Sequence, residues 1–342
     1  CRRQRQMCIR DRRYGWLIPY LFGASATVCK SFMHDYNEHN LEEFDDNTLY
    51  LPYATSLRMG DIGYQNSQED EKGVKANYNS LCHYIYSLRA AMQTNCEDFE
   101  KIGLKKNGEY EQLNTNILQI ANEYYSSVRP KPILYANDKP LRALNNNGVG
   151  YIEIRSLDIN PLLEVGIDKQ QIEFLEAFLL FCLLEDSPAI SSSELVDIDS
   201  NALLVAHQGR QPGLILSHAG EEVTLADWGE SIFEKIKQCS KLQSDAHQES
   251  VESISMRIKD PDLTPSAIML NEMKHQEKGF FEFTDQYSRQ YKTQNQQKAF
   301  DNDYFLRLDE LAISSIKEQL ELESNDVLNF DQFLEQYFED DA

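Results

Sequence analysis

Apolar positions recur with a helical period in several stretches of the chain. Over residues 78–92, apolar side chains lie three and four positions apart, which predicts a helix. A clearer helix is predicted over residues 168–186, where Asp168 is placed to cap the first turn and Gln171 stands at the capping-box position. This stretch is apolar on nearly every side, so we expect it to be buried. Two later series also keep a helical period: Phe280, Phe283, Tyr287 and Tyr291, and then Leu308, Leu311, Ile316 and Leu320.

Strand and turn signals concentrate in the middle of the chain. Residues 151–155 read Tyr-Ile-Glu-Ile-Arg and alternate with period two. As a strand, they place Tyr151, Glu153 and Arg155 on one face and the two isoleucines on the other. The preceding run of asparagines, 145–147, followed by Gly148, predicts a tight turn. A phosphate loop is the other interpretation of the glycines here, and a hairpin turn explains them better.

Length and composition predict a packed, acidic protein. With 342 residues, the chain is long enough for about two domains, or for one large domain, at roughly 150 residues each. Its net charge of −23 argues against binding to nucleic acid or to anionic lipid. No apolar run approaches the ~20 residues that cross a bilayer. The seven cysteines are widely spaced and form no C-x-x-C motif, which favours free thiols in a reducing compartment.

The first residues differ in composition from everything that follows them. Residues 1–13 hold six arginines and one acid, Asp11, in an otherwise acidic chain. They have no apolar core that would make them a secretory signal, and they do not begin with Met. We interpret residues 1–12 as a foreign segment that resembles translated adapter or cloning sequence. It is expected to contribute nothing to the fold.

Glu153 and Arg155 carry the strongest chemical signal that the residues give by themselves. A site for ATP needs a hard oxygen ligand for Mg²⁺ and a planar cation that stabilises charge on the transferring phosphoryl group. A solvated strand face with an ion pair explains the same two residues, and their spacing alone favours that explanation. Arg129 and Lys131 can each face an anion or lie in an exposed loop. Tyr64 and Tyr125 can wall a small-molecule pocket or simply pack.

Several separated motifs are more specific together than any one of them is alone. The chain resembles the proteobacterial type of glutamate–cysteine ligase (γ-glutamylcysteine synthetase) from about Arg13 to the C-terminus, and the likeness weakens after Thr264. The motifs, which occur in the same order, are residues 14–25 (YGWLIPYLFGAS), 50–58 (YLPYATSLR), 61–64 (DIGY), 151–161 (YIEIRSLDINP) and 191–195 (SSSEL).

The resemblance implies both a fold and an activity. The implied fold is α+β, a glutamine synthetase-like curved antiparallel sheet with packed helices. Residues 13–342 would be the C-terminal portion of a single catalytic domain, so the sheet is expected to be incomplete. The implied enzyme is a carbon–nitrogen ligase that uses ATP and Mg²⁺ to join the γ-carboxylate of glutamate to cysteine through a γ-glutamyl phosphate, the first step of glutathione biosynthesis. A cytoplasmic protein, monomeric at full length and without a nucleic-acid or membrane partner, is expected.

The resemblance also implies roles on the phosphate side of the site. Glu153 matches a metal-ligand glutamate on a sheet strand. Arg155 matches the arginine that contacts the transferring phosphate, and Arg129 is a further candidate for contact with ATP phosphate. The family's N-terminal part carries most of the carboxylates that hold Mg²⁺. This chain by itself is therefore not implied to be active.

A second group of residues matches the cysteine pocket of the family. Arg58, Tyr64 and Tyr125 are the candidates, and the Arg58 guanidinium suits a carboxylate. Two other functions stay open at this point. One alternative is a non-catalytic binding or regulatory module. The other is a related ligase that couples glutamate to another amine.

Overall fold

The computed structural model describes residues 2–33, 40–63, 75–135, 138–186, 188–298 and 302–339. Within these ranges, the helices are α1 (Arg2–Tyr14), α2 (Leu17–Phe22), α3 (Leu81–Gln93), α4 (Glu97–Ile102), α5 (Pro140–Asn147), α6 (Lys169–Leu184), α7 (Ser192–Gln208), α8 (Leu225–Ser240), α9 (Asp245–Lys259), α10 (Pro265–Gln276), α11 (Phe280–Gln297), α12 (Asn302–Asn325) and α13 (Phe330–Glu339). None of these helices is both long enough and apolar enough to cross a membrane.

The strands of the described residues pair only in antiparallel fashion, in four small sheets. They are β1 (Thr27–Cys29), β2 (Glu42–Glu43), β3 (Thr48–Tyr50), β4 (Lys105–Lys106), β5 (Glu109–Tyr110), β6 (Val128–Lys131), β7 (Tyr151–Ile154), β8 (Ile215–His218) and β9 (Glu221–Thr224). One sheet has the order β1-β3-β2, and the others are the pairs β4-β5, β6-β7 and β8-β9. Helices and antiparallel strands together confirm the α+β class.

The larger hydrophobic core forms around α6. Phe174 and Phe178 have no exposed surface, and Phe181 is 1% exposed, so the helix is buried as its sequence predicts. The side chain of Asp168 accepts a hydrogen bond from the Gln171 backbone N–H at 2.7 Å, which confirms the predicted cap. Helices α2, α8 and α9 pack around it and contribute most of the other members of this core.

A second core lies beneath the β6-β7 pair. It includes Val128 of β6, residues of α3 and α5, and Ile152 of β7, which packs against its edge. Ile154 packs instead against the larger core. Both isoleucines therefore face packed side chains, as the alternating pattern predicts, and the opposite face of β7 is left for polar groups.

The turn predicted at residues 145–148 is wrong. Residues 140–147 form the helix α5, with Pro140 in its first turn and with Leu141 and Leu144 buried in the second core. Burial of this apolar face outweighs the local turn preference of the asparagines. Gly148, with φ of 77°, ends the helix in a backbone conformation that favours glycine.

Residues 1–12 do not stand apart from the body, contrary to expectation. From Arg2 onward they lie in α1, in which Cys8 and Ile9 are buried in the second core. The Arg10 guanidinium donates a hydrogen bond to the Cys182 carbonyl of α6. Arg10 and Asp11 are buried as well, at 3% and 0% exposure. A foreign origin of this segment stays a prediction.

Candidate functional site

The β6-β7 pair brings four charged side chains to one place. In its register, Arg129 lies opposite Glu153 and Lys131 lies opposite Tyr151. The pairing extends beyond β7, because the Arg155 N–H donates a hydrogen bond to the Ser127 carbonyl at 2.8 Å. Directly opposed residues of an antiparallel pair point to the same face of the sheet. Arg129 therefore shares a sheet face with Glu153.

The Glu153 carboxylate is the one acid in this basic group. Its Oε2 atom lies 3.4 Å from Lys131 Nζ and 3.9 Å from Arg155 Nε. The same Oε2 atom is buried and has no hydrogen-bond partner among the described residues. Such an oxygen is a suitable ligand for a hard cation, or an acceptor for a donor that a substrate brings.

The donor set around Glu153 fits a magnesium ion only in part. The described residues contain no group of three or more His, Cys, Asp or Glu side chains that could hold a metal. Mg²⁺ is commonly bound by one or two carboxylates together with water and substrate phosphates. Glu153 meets the requirement for one such carboxylate.

Arg129 is the most deeply buried cation of this face, at 6% exposure. Its Nη2 donates a hydrogen bond to the Asn122 carbonyl at 3.1 Å. Its Nε is buried without a hydrogen-bond partner in the described part of the chain. A guanidinium with a buried and unsatisfied donor is suited to an anionic ligand that reaches it.

The Arg58 loop is anchored to the end of α7. Arg58 lies in the short 3₁₀ turn Leu57–Met59. Just before it, the Thr55 hydroxyl donates to the Val205 carbonyl at 2.8 Å, and Arg210 Nε donates to the Ala54 carbonyl at 3.1 Å. Burial lowers the pKa of the Arg210 guanidinium, but the side chain remains a cation at neutral pH. Its hydrogen bond to the Ala54 carbonyl holds this loop in place.

Arg58 itself is held by a carboxylate and by the backbone after β7. Its Nε donates to Asp158 Oδ1 at 2.7 Å, and its Nη2 donates to the Leu157 carbonyl at 2.8 Å and to the Arg155 carbonyl at 3.2 Å. The Arg58 side chain stays 35% exposed, whereas that of Asp158 is 3% exposed. Arg58 is thus linked to Arg155 through the Arg155 backbone carbonyl.

A cavity of about 540 Å³ lies beside these residues. Its lining includes Tyr125, which is 43% exposed, and Ser156, which directly follows Arg155. Met59 and Asp61 line it from the Arg58 loop. Of the predicted residues, Tyr125 therefore lines this cavity of small-molecule size, whereas Arg58 and Arg155 adjoin it through their chain neighbours Met59 and Ser156.

Tyr64 lies outside the described residues. The sequence predicts that Lys131, like Arg129, can face an anion, and it assigns no role to Asp158. Lys131 approaches Glu153 only because β6 and β7 pair, and that register is not visible in either strand alone. Asp158 stands within the 151–161 motif, which was the available signal, but its partner Arg58 comes from a distant loop.

The fold and this site together define an α+β protein with a basic strand face beside a small-molecule cavity. The family model for glutamate–cysteine ligase matches residues 4–205. The chain is 44% identical over 331 residues to the glutamate–cysteine ligase of Pseudomonas paraeruginosa and 43% identical to that of Pseudomonas putida. In both cases the match covers 95% of this chain.

Solved structures of related proteins are also similar to this chain. The glutamate–cysteine ligase of Francisella tularensis in complex with AMP superposes with a TM-score of 0.92 at 31% identity, over 98% of this chain and 67% of that one. A bifunctional glutathione synthetase from Pasteurella multocida, at 20% identity and a TM-score of 0.60, shares the fold. The chain belongs to the glutamate–cysteine ligase family, which confirms the sequence resemblance. It spans 62% of the length of the two Pseudomonas relatives.

Proposed function

We propose that this protein takes part in the ATP-dependent joining of the glutamate γ-carboxylate to the amine of cysteine. The observation that carries the proposal is the placement of Glu153 and Arg155 along the β6-β7 pair, whose neighbouring residues Ser127 and Ser156 line the cavity. Family membership supports the chemistry, and the AMP complex of the Francisella relative supports a nucleotide site.

The reaction has two steps that this site suits. A γ-carboxylate oxygen of glutamate attacks the terminal phosphorus of ATP, and the bond from that phosphorus to ADP breaks. The cysteine amine then attacks the acyl carbon, phosphate leaves with the bonding electrons, and the amine loses a proton. The first step concentrates negative charge on the phosphoryl oxygens. Arg155, assisted by Arg129 and Lys131, is proposed to stabilise that charge.

Glu153 is the proposed metal ligand of the described residues. Mg²⁺ bound there would offset the negative charge of the ATP phosphates. Until a cation or substrate arrives, Lys131 and Arg155 balance the carboxylate. Arg58 is proposed to bind the α-carboxylate of cysteine, with Tyr64 and Tyr125 forming walls of the amine pocket.

The proposal extends to the cellular location and the oligomeric state of the protein. The cysteines of the described residues, Cys8, Cys29, Cys82, Cys96, Cys182 and Cys239, are free thiols. Such thiols are typical of a reducing compartment, so we expect a cytoplasmic protein. We also expect a monomer at full length.

The experiment that tests the proposal traps the acyl phosphate. The protein is expressed at full length and incubated with ATP, Mg²⁺ and glutamate, with hydroxylamine in place of cysteine. A γ-glutamyl hydroxamate and equimolar ADP are expected. ATP binding without hydroxamate would contradict the proposal and favour a non-catalytic binding module. Phosphate release that responds to another amine but not to cysteine would favour a different glutamate–amine ligase.

A further inference from the structure

Asp158 is a buried carboxylate to which neither the family motif nor the proposed reaction assigns a role. Its side chain is 3% exposed. A carboxylate this deep is costly unless it is fully paired and hydrogen-bonded. It follows β7 in the chain and therefore lies on the same segment as Glu153 and Arg155. Its position calls for an explanation in terms of its partners.

Three donors from two distant segments converge on Asp158. Its Oδ1 accepts from Arg58 Nε at 2.7 Å. Its Oδ2 accepts from the Ala24 backbone N–H at 2.8 Å and from the Ser25 hydroxyl at 2.7 Å. The carboxylate is thereby fixed by the α2–β1 connection on one side, and it holds the guanidinium on the other.

The same guanidinium is also fixed to the backbone that carries Arg155. Arg58 Nη2 donates to the carbonyls of Leu157 and Arg155. Asp158 and these carbonyls together orient the planar fork and set its position relative to Arg155. An amine can attack an acyl phosphate only when the reacting atoms are held about 3–3.5 Å apart and aligned. If Arg58, which is proposed to bind the substrate carboxylate, were displaced, the substrate amine would be misplaced.

We propose that Asp158 is a positioning residue for the amine substrate, because it holds Arg58 in the orientation that receives the substrate carboxylate. This inference rests on the proposed function, in which Arg58 binds the cysteine carboxylate. It predicts that Asp158 contributes to discrimination between amines with and without a carboxylate. An ion pair that only stabilises the fold would not affect that discrimination.

The experiment compares cysteine with cysteamine, which is cysteine without its carboxylate. In the full-length protein, kcat/KM is measured for both amines, and their ratio reports the value of the carboxylate contact. Asp158→Asn keeps the shape but removes the charge that orients Arg58. The preference for cysteine is expected to fall on the order of tenfold, mainly through KM for cysteine, with KM for ATP unchanged.

Two further variants separate the possible outcomes. Arg58→Lys should also lower the preference, and the double variant should lose no more than the larger single effect, because both residues act through one contact. If Arg58→Lys leaves the preference intact, the proposed role of Arg58 fails. If Arg58→Lys lowers it and Asp158→Asn does not, the positioning role of Asp158 alone fails.

A milder substitution covers the case in which Asp158→Asn does not fold. Ser25→Ala removes one of the three donors to Asp158 and should shift the preference in the same direction by a smaller factor. Asp227→Asn, the same change at an exposed helix start that does not line the cavity, is the matched control and should leave the preference unchanged. Equal losses for both amines in Asp158→Asn or in Ser25→Ala would overturn the inference.

Discussion

At the scale of single residues, Glu153 lies between two cations at unequal distances. Lys131 Nζ is 3.4 Å from its Oε2, and Arg155 Nε is 3.9 Å away. Both pairs are partly exposed, so each contributes little to stability. Loss of the Glu153 charge is therefore expected to change the free energy of unfolding little.

Glu153→Gln is expected to separate these two contributions. The amide keeps the size of the side chain but loses the charge that attracts a divalent cation. The Mg²⁺ concentration for half-maximal activity should rise and kcat should fall, while the melting temperature changes little. A titration of activity against Mg²⁺, paired with thermal unfolding, measures both. Unchanged Mg²⁺ dependence would show that Glu153 is not a metal ligand.

A second residue, Asp11 of α1, gives a dependence of stability on pH. Burial raises its pKa from 3.8 to about 7, with a smaller opposing effect from Arg12. The folded state thus binds this proton more tightly than the unfolded state does. The contribution of Asp11 to stability is largest below pH 4 and is lost as pH rises to about 7.

Asp11→Asn should remove this loss, because the amide cannot ionise. Relative to the parent, the variant is expected to gain about 4 kcal/mol in unfolding free energy at pH 8, and only about 1–2 kcal/mol at pH 5. Urea unfolding at the two pH values measures the difference. Asp227→Asn, at an exposed position, is the control. Identical pH profiles for Asp11→Asn and the parent would mean that α1 is not packed in the core.

At the scale of elements, α6 organises the larger core, and its start depends on one cap. Asp168→Ala removes the acceptor for the Gln171 N–H and should cost about 1 kcal/mol of unfolding free energy. Asp168→Asn retains an acceptor and should cost less. Chemical denaturation of both variants measures this order. Equal losses for alanine and asparagine would indicate that the cap does not stabilise the helix.

Elements whose signals are local could be predicted from the sequence, and those that depend on distant partners could not. Patterns among neighbouring residues predict helix α6 with its Asp168 cap and the alternation around Glu153. The local pattern at the end of α5 predicts a turn, and this prediction is wrong. The burial of Leu144, a tertiary effect, outweighs the local preference of the asparagines. The packing of α1 depends likewise on contacts with α6.

In the candidate site, too, local motifs could be predicted from the sequence and contacts between distant segments could not. Arg58, Glu153 and Arg155 could be singled out from motifs, but their spatial relationship could not. Arg58 meets Asp158 across a separation of 100 residues, and Lys131 meets Glu153 through strand pairing. Long-range hydrogen bonds and register carry no signal in a single sequence, because no local pattern encodes them.

At the scale of the whole molecule, helix α12 exposes several large apolar side chains to solvent. Leu311 is 64% exposed, and Ile316 and Leu320 are each 59% exposed. Exposed apolar side chains of this kind can bind hydrophobic dyes and promote association. The short two-stranded sheets add unpaired strand edges.

Replacing Leu311 and Ile316 with Gln is expected to reduce dye fluorescence without lowering the melting temperature, because little packing is lost. Glu318→Gln, a change at a polar position of the same helix, is the control and should leave the fluorescence unchanged. Dye titration and thermal unfolding of the chain measure the two effects. A fall of several degrees would show that these side chains are packed in solution.

The strand face of β7 is proposed to serve phosphoryl transfer. Steady-state phosphate release by the Arg155→Lys variant of the full-length protein tests this role, with thermal unfolding measured in parallel. Lysine keeps the charge but loses the planar fork, so a two-point contact with phosphate is lost. We predict a fall in kcat on the order of 10²–10³, with little change in melting temperature. Near-normal kcat together with a collapse of thermal stability would contradict the account.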